Sequence, residues 1–130
     1  MKNSAIELHD STIEAISNVA DQLFLFIRAY LHQSDGIPGI DKGSGWNQAV
    51  VLSFSNSTIV GNNKQYPINI SAGELIVGKK TIPNMISIPF IGDDVEINLV
   101  LVNAEHICIK GKRAELILLG NPKYVEEFHP

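Results

Sequence analysis

The pairing in this chain best suited to chemistry is His9 beside Asp10, inside Leu8-His9-Asp10-Ser11. An imidazole titrates near neutral pH and works as a base, and a carboxylate can orient it. On an extended chain, however, adjacent residues point to opposite faces, so the two side chains are not expected to meet. The bland use of the segment is structural, with Asp10 and Ser11 bonding nearby backbone amides as Asx and Ser turns do. That use is preferred over catalysis.

The other reactive residue types are dispersed. His32, His106 and His129 stand far from His9 and from one another, with no HExxH and no histidine pair at helical spacing. Cys108 is the only cysteine. No metal site is expected on this spacing. Lys110, two positions from Cys108, would favour a thiolate, but no hydrolase-like pattern surrounds it, and a half-buried inert cysteine is the expectation. In Asp41-Lys42-Gly43-Ser44 the lysine precedes the glycine, so the phosphate-loop pattern GxxxxGK[ST] is not met. Asp35, Asp41, Asp93 and Asp94 lack calcium-loop spacing. No cofactor and no catalytic residue are therefore expected.

The elements that must position these residues read as strands. Val, Ile and Leu come in short runs broken by Gly, Asn, Asp and Pro. The runs are Gln48–Ser55, Tyr66–Ile70, Glu74–Val77, Met85–Ile91, Val95–Val102, His106–Lys110 and Ala114–Leu119. Turns are predicted at Gly92-Asp93-Asp94, Asn103-Ala104-Glu105 and Gly111-Lys112-Arg113, which makes an antiparallel meander. Pro89, and less strongly Pro67, mark edge strands or bulges.

Near the N-terminus, Ser11-Thr12-Ile13-Glu14 matches a helix capping box, whereas Leu23 to Leu31 alternates in period two. A hairpin of Thr12–Ser17 with Gln22–His32 is preferred to a helix. Gln33 to Asn47, rich in glycine and holding Trp46, is predicted to be a long loop, either mobile or functional. Asn121-Pro122 followed by Tyr124, Val125 and Phe128 reads as a short C-terminal helix. The predicted fold is mainly β: an antiparallel sandwich or partly open barrel, one domain over residues 1–130, with a long glycine-rich loop and a short C-terminal helix.

Composition narrows the function classes. Of 130 residues, 45% are hydrophobic and 18% charged, with a net charge of −4. The charged fraction lies below the roughly 25% usual for soluble domains, leaving a sparsely charged surface. Lysines and arginines form no stripe, so nucleic acid is not an expected partner. A single cysteine fits a reducing compartment. Met1 to Asp10 lacks a signal-peptide core, and Leu23 to Ile27 is far too short for a membrane span. A cytoplasmic protein with no membrane partner is expected.

Leu8-His9-Asp10-Ser11 followed by Ile13 and Ile16, with Glu115 to Gly120 and Val125 to Phe128 near the other end, resembles a pattern in small bacterial proteins of unknown function. Some of those are similar to immunity proteins, which neutralise a cognate toxin. The resemblance implies an all-β fold and permits a protein partner; it supplies no catalytic residue.

The expected function is an interaction protein without catalytic activity. Val100 and Val102 lie opposite Val95, Ile97, Leu99 and Leu101, and Ile117 and Leu119 lie opposite Ala114, Leu116 and Leu118. Strands with two apolar faces need cover on both sides. A homodimer using this second face, or the Pro89 edge, is expected. The alternative is a small-ligand-binding barrel or enzyme, its Gly36–Gly45 loop a lid over His9, Asp10, His32 and Trp46.

Overall fold

A computed structural model describes residues 3–61 and 65–130. These form nine strands: β1 (Asn3–Val19), β2 (Gln22–Ser34), β3 (Gly43–Ser55), β4 (Thr58–Val60), β5 (Ile68–Val77), β6 (Lys80–Pro83), β7 (Met85–Ile88), β8 (Ile91–Leu101) and β9 (His106–Phe128). Every pairing is antiparallel. The sheet runs β6-β5-β8-β9-β3-β2-β1-β7, with β4 added to β9. A further pairing, Thr12 with Asn69 and Ile13 with Ile68, joins β1 to β5. That contact closes six strands, β1-β2-β3-β9-β8-β5, into a barrel.

Period-two alternation decides which side chains point inward. Leu23, Leu25, Ile27, Ala29 and Leu31 of β2 are buried, as are Val50, Leu52 and Phe54 of β3 and Val95, Ile97, Leu99 and Leu101 of β8. With Ile6, Leu8 and Ile13 of β1, they fill the barrel with one apolar core. The longest strands, β1 with 17 residues and β9 with 23, are far longer than the usual five or six. They bend round the barrel through register shifts, as bulges allow.

The N-terminal hairpin forms as preferred, with its turn at Ala20-Asp21. The Asn103–Glu105 turn also forms: the Ala104 amide donates to Leu101 O (2.9 Å) and the Leu101 amide to Glu105 O (2.9 Å). The short C-terminal helix does not form; among the described residues there is no helix. Asn121 to Phe128 continue β9, and from Lys123 on they pair with β3 from Asn47 back to Gly43. The cap-like Asn121-Pro122 falls where the β3–β9 register shifts, so a proline that breaks the ladder there reads locally like a helix start. A 13-residue β3 offers a full ladder of backbone partners, and that long-range pairing overrides the local signal.

Two predicted turns lie inside strands. Gly92 and Asp93 pair with Ala114 and Arg113, and Val95 pairs with Gly111, so β8 and β9 run straight through both segments without a shift of register. Asp94 takes a φ of 52° within this ladder. The long loop shrinks to residues 35–42. Gly43 and Gly45 belong to β3 because a Cβ there would overlap the Gln33 carbonyl oxygen and the Tyr30 hydroxyl respectively. The run Met85–Ile91 divides at Pro89 into β7, an outermost strand, and the start of β8. No helix of the described residues is long and apolar enough to cross a membrane.

Candidate functional site

Strand β1 breaks its ladder with β2 between Glu7, opposite Tyr30, and Thr12, opposite Arg28. Four residues of β1, Leu8 to Ser11, thus face one residue of β2. The chain turns inside this bulge at Asp10, whose φ is 69°, a left-handed conformation that Asp tolerates better than most residues. Ser11 repairs the gap: its hydroxyl donates to the Glu7 carbonyl and accepts from the Tyr30 amide (3.1 Å). Asn84, between β6 and β7, serves the other side. Its carbonyl accepts from the Leu8 amide (2.7 Å) and its Oδ1 from the His9 amide (2.8 Å).

This bulge gathers four titratable side chains, Glu7, His9, Asp10 and His32. His32 Nε2 lies 2.8 Å from Glu7 Oε1. His9 Nδ1 lies 3.6 Å from Glu7 Oε2 and 3.3 Å from Asp10 Oδ2. Asn84 Nδ2 approaches Glu7 Oε2 at 3.3 Å. The sequence expectation that His9 and Asp10 diverge assumes an extended chain, and the positive φ at Asp10 removes that premise. His9 and Asp10 are open to solvent, whereas the His32 side chain is only 4% exposed. Because an ionised Glu7 only accepts, Nε2 carries the His32 proton, and the buried Nδ1 has no hydrogen-bond partner.

His32 is packed edge-on against Tyr30 (4.8 Å) and Phe128 (5.0 Å). Gly39 of the 35–42 loop lies close to His32 and Met85. The glycine-rich loop thus comes near His32 through Gly39. Trp46 belongs to a different set: its indole donates to Ser44 Oγ (2.8 Å), packs on the core and meets Tyr124 edge-on (5.3 Å).

A polar cavity of about 590 Å³ opens beside the bulge, lined by His9, Asp10, Thr12, Arg28, Asn47 and Asn69 among others. The ligand reading calls for an apolar cavity into which His9 and His32 converge. The two histidines do converge, but on Glu7, and neither His32 nor Trp46 lines the cavity. Sequence reasoning missed Glu7 and Asn84. Glu7 carried a signal, since it stands two residues before His9; Asn84 carried none, since its contacts cross the fold.

Burial, with the Glu126 carboxylate accepting from its hydroxyl (2.9 Å), pushes Tyr30 up to about 12. The folded state therefore favours the neutral phenol, and its contribution fades as pH rises from about 10 through 12. Burial also raises the Cys108 thiol; Glu96 adds to this and Lys110 opposes it. Lys110 is itself paired with Glu96 at 3.5 Å. The thiolate is thus disfavoured.

Asp10 gives a test of the bulge. Placing Ala in a left-handed conformation costs about 1 kcal/mol, whereas Gly adopts it freely. Asp10→Ala is expected to lower stability by about 1 kcal/mol and Asp10→Gly to leave it within about 0.5, measured by urea unfolding. Equal losses for both would place the effect in the lost carboxylate rather than in the backbone.

No family model, curated protein or solved structure matches this chain.

Proposed function

We propose that this protein is an interaction protein without catalytic activity, and that its principal partner is a second copy docked on the outer face of β1-β2-β3-β9. The observation that carries this reading is an apolar row in register across four strands: Ala15 opposite Phe26, Phe26 opposite Val51, and Val51 opposite Ile117. Leu119 and Ala49 extend it on one side and Phe24 on the other. Among the described residues no helix or second sheet covers the row; Ile117 and Leu119 are each 41% exposed, and Val51 between Phe26 and Ile117 is 6% exposed. Contiguous apolar patches of this kind mark interaction sites.

The row itself carries no charge, and Arg28 at its border is paired with Glu14 at 3.2 Å. For a chain of net charge −4, an uncharged row lets two copies meet without like charges facing each other across it. A two-fold axis presents the same residues from both sides, the commonest way to close a dimer. A binding role is also favoured by an interior filled with side chains; Leu52, Phe54, Ile97 and Leu99 are all within 1% of complete burial.

Light scattering on the size-fractionated chain at 1–100 µM is the test, these concentrations being roughly those at which weak to moderate dimers form. The wild type is expected to be a dimer. Ile117→Lys is expected to give a monomer whose stability changes by no more than about 0.5 kcal/mol, as for other exposed positions. Val100, in a separate groove of about 610 Å³ on the other side of the barrel, provides the control, and Val100→Lys is expected to remain dimeric. A wild type that is monomeric at every concentration sinks the proposal.

A further inference from the structure

We infer a divalent transition-metal site at the β1 bulge, with Glu7, His9 and Asp10 as its protein ligands. The inference is independent of the dimer. Each of the three residues offers one ligand atom, and these atoms lie within 4.8 Å of one another. Metal bonds of about 2.1 Å at tetrahedral angles place ligand atoms roughly 3.4 Å apart. The separations from His9 Nδ1, 3.3 Å to Asp10 and 3.6 Å to Glu7, match that spacing, and the whole group lies within 4.8 Å.

What sets this group apart from ordinary surface carboxylates is the support behind it. His32, only 4% exposed, directs its single hydrogen bond at Glu7 Oε1, and its other ring nitrogen has no partner. Burying an imidazole in this way is costly unless the bond it makes is useful. Here it fixes the carboxylate with Oε2 turned toward His9 and Asp10. Asn84 steadies both Glu7 Oε2 (3.3 Å) and the His9 backbone (2.8 Å). Buried partners that orient exposed ligands are the usual second layer of a metal site.

One imidazole nitrogen and two carboxylate oxygens suit zinc, manganese or cobalt; calcium and magnesium prefer oxygen alone. Three protein ligands leave a position open, and the polar cavity with Arg28, Asn47 and Asn69 adjoins the group. The sequence holds no metal spacing because residues 7, 9 and 10 converge only through the left-handed turn at Asp10.

Calorimetric titration of the tag-free chain with zinc chloride at pH 7 is the test. One ion per chain is expected, with a micromolar Kd. His9 is exposed, so His9→Ala retains the fold; it is expected to weaken binding by at least about tenfold, as is Asp10→Asn. Asn84→Ala, which touches no metal, is expected to weaken it by roughly the same order. His106→Ala is expected to leave the affinity unchanged. Absence of binding at 100 µM zinc overturns the site, as does an affinity that His9→Ala leaves intact. In either case His9 would serve only as a polar partner lying between two carboxylates.

Discussion

Replacing Phe54 with alanine is expected to destabilise the protein by about 3–5 kcal/mol, the range for deleting a fully buried aromatic ring. Phe54 is completely buried. It lies between Leu23 of β2 and Ala114 of β9, and its Cβ approaches Gly111, where an added Cβ would come within 3.1 Å. A closed barrel has little means of collapsing onto the vacated space, since each barrel strand is tied to a neighbour on both sides. The loss should therefore stand near the upper part of the range, with a fall in Tm of roughly 10–20 °C. Phe26→Ala, on the half-exposed outer face, is expected to cost no more than about 1.5 kcal/mol in a monomeric background. Equal costs at the two positions would mean that the interior is not packed as described.

The second large effect is expected at Glu7. Glu7→Ala removes the only hydrogen-bond partner of buried His32 and leaves both ring nitrogens unpaired. An abandoned buried polar group costs about 1–3 kcal/mol, and the lost bond to a charged acceptor falls in the same range. A net loss of about 2–3 kcal/mol is expected in denaturant unfolding. The partner experiment replaces the imidazole: in a His32→Phe background, Glu7→Ala should cost less than about 1 kcal/mol, because no stranded donor remains. If Glu7→Ala costs the same in both backgrounds, the two side chains are not coupled and His32 owes its burial to Tyr30 and Phe128 alone.

Much of the β character was legible because period two survives in any context. Leu23 to Leu31 alternated along the chain as they do around the barrel, and the hairpin with β1 followed. What misled was residue chemistry with two uses. Glycine and aspartate at 92–94 and 111–113 carry turn signals, yet both segments run on in a ladder of unshifted register, and only the partner strand decides between turn and strand. Gly43 and Gly45 looked like loop and are strand positions where neighbouring atoms leave no room for a Cβ. Asn121-Pro122 carried a genuine helix-start signal that pairing with β3 overrode. At the candidate site, His9, Asp10 and His32 were singled out by type alone; both histidines meet Glu7, and Asp10 joins them through His9. Trp46 was grouped with them because it lies in the predicted loop that was read as a lid over them. Asn84, 75 positions from His9, was beyond any local signal.

The length of β9 has a kinetic consequence. Its first part pairs with β8 and β4 and its remainder with β3, so one strand stitches three others. Partners such as Ser55 with Arg113 and Gly43 with Phe128 are remote in the chain, and non-local ladders of this kind form slowly. During synthesis β3 and β8 are complete well before residues 106–128 leave the ribosome. Until then each presents an open edge of the kind that recruits foreign strands. The nascent chain thus passes through a window in which a chaperone, or a neighbouring copy on the same message, competes with its own last strand for the same hydrogen bonds.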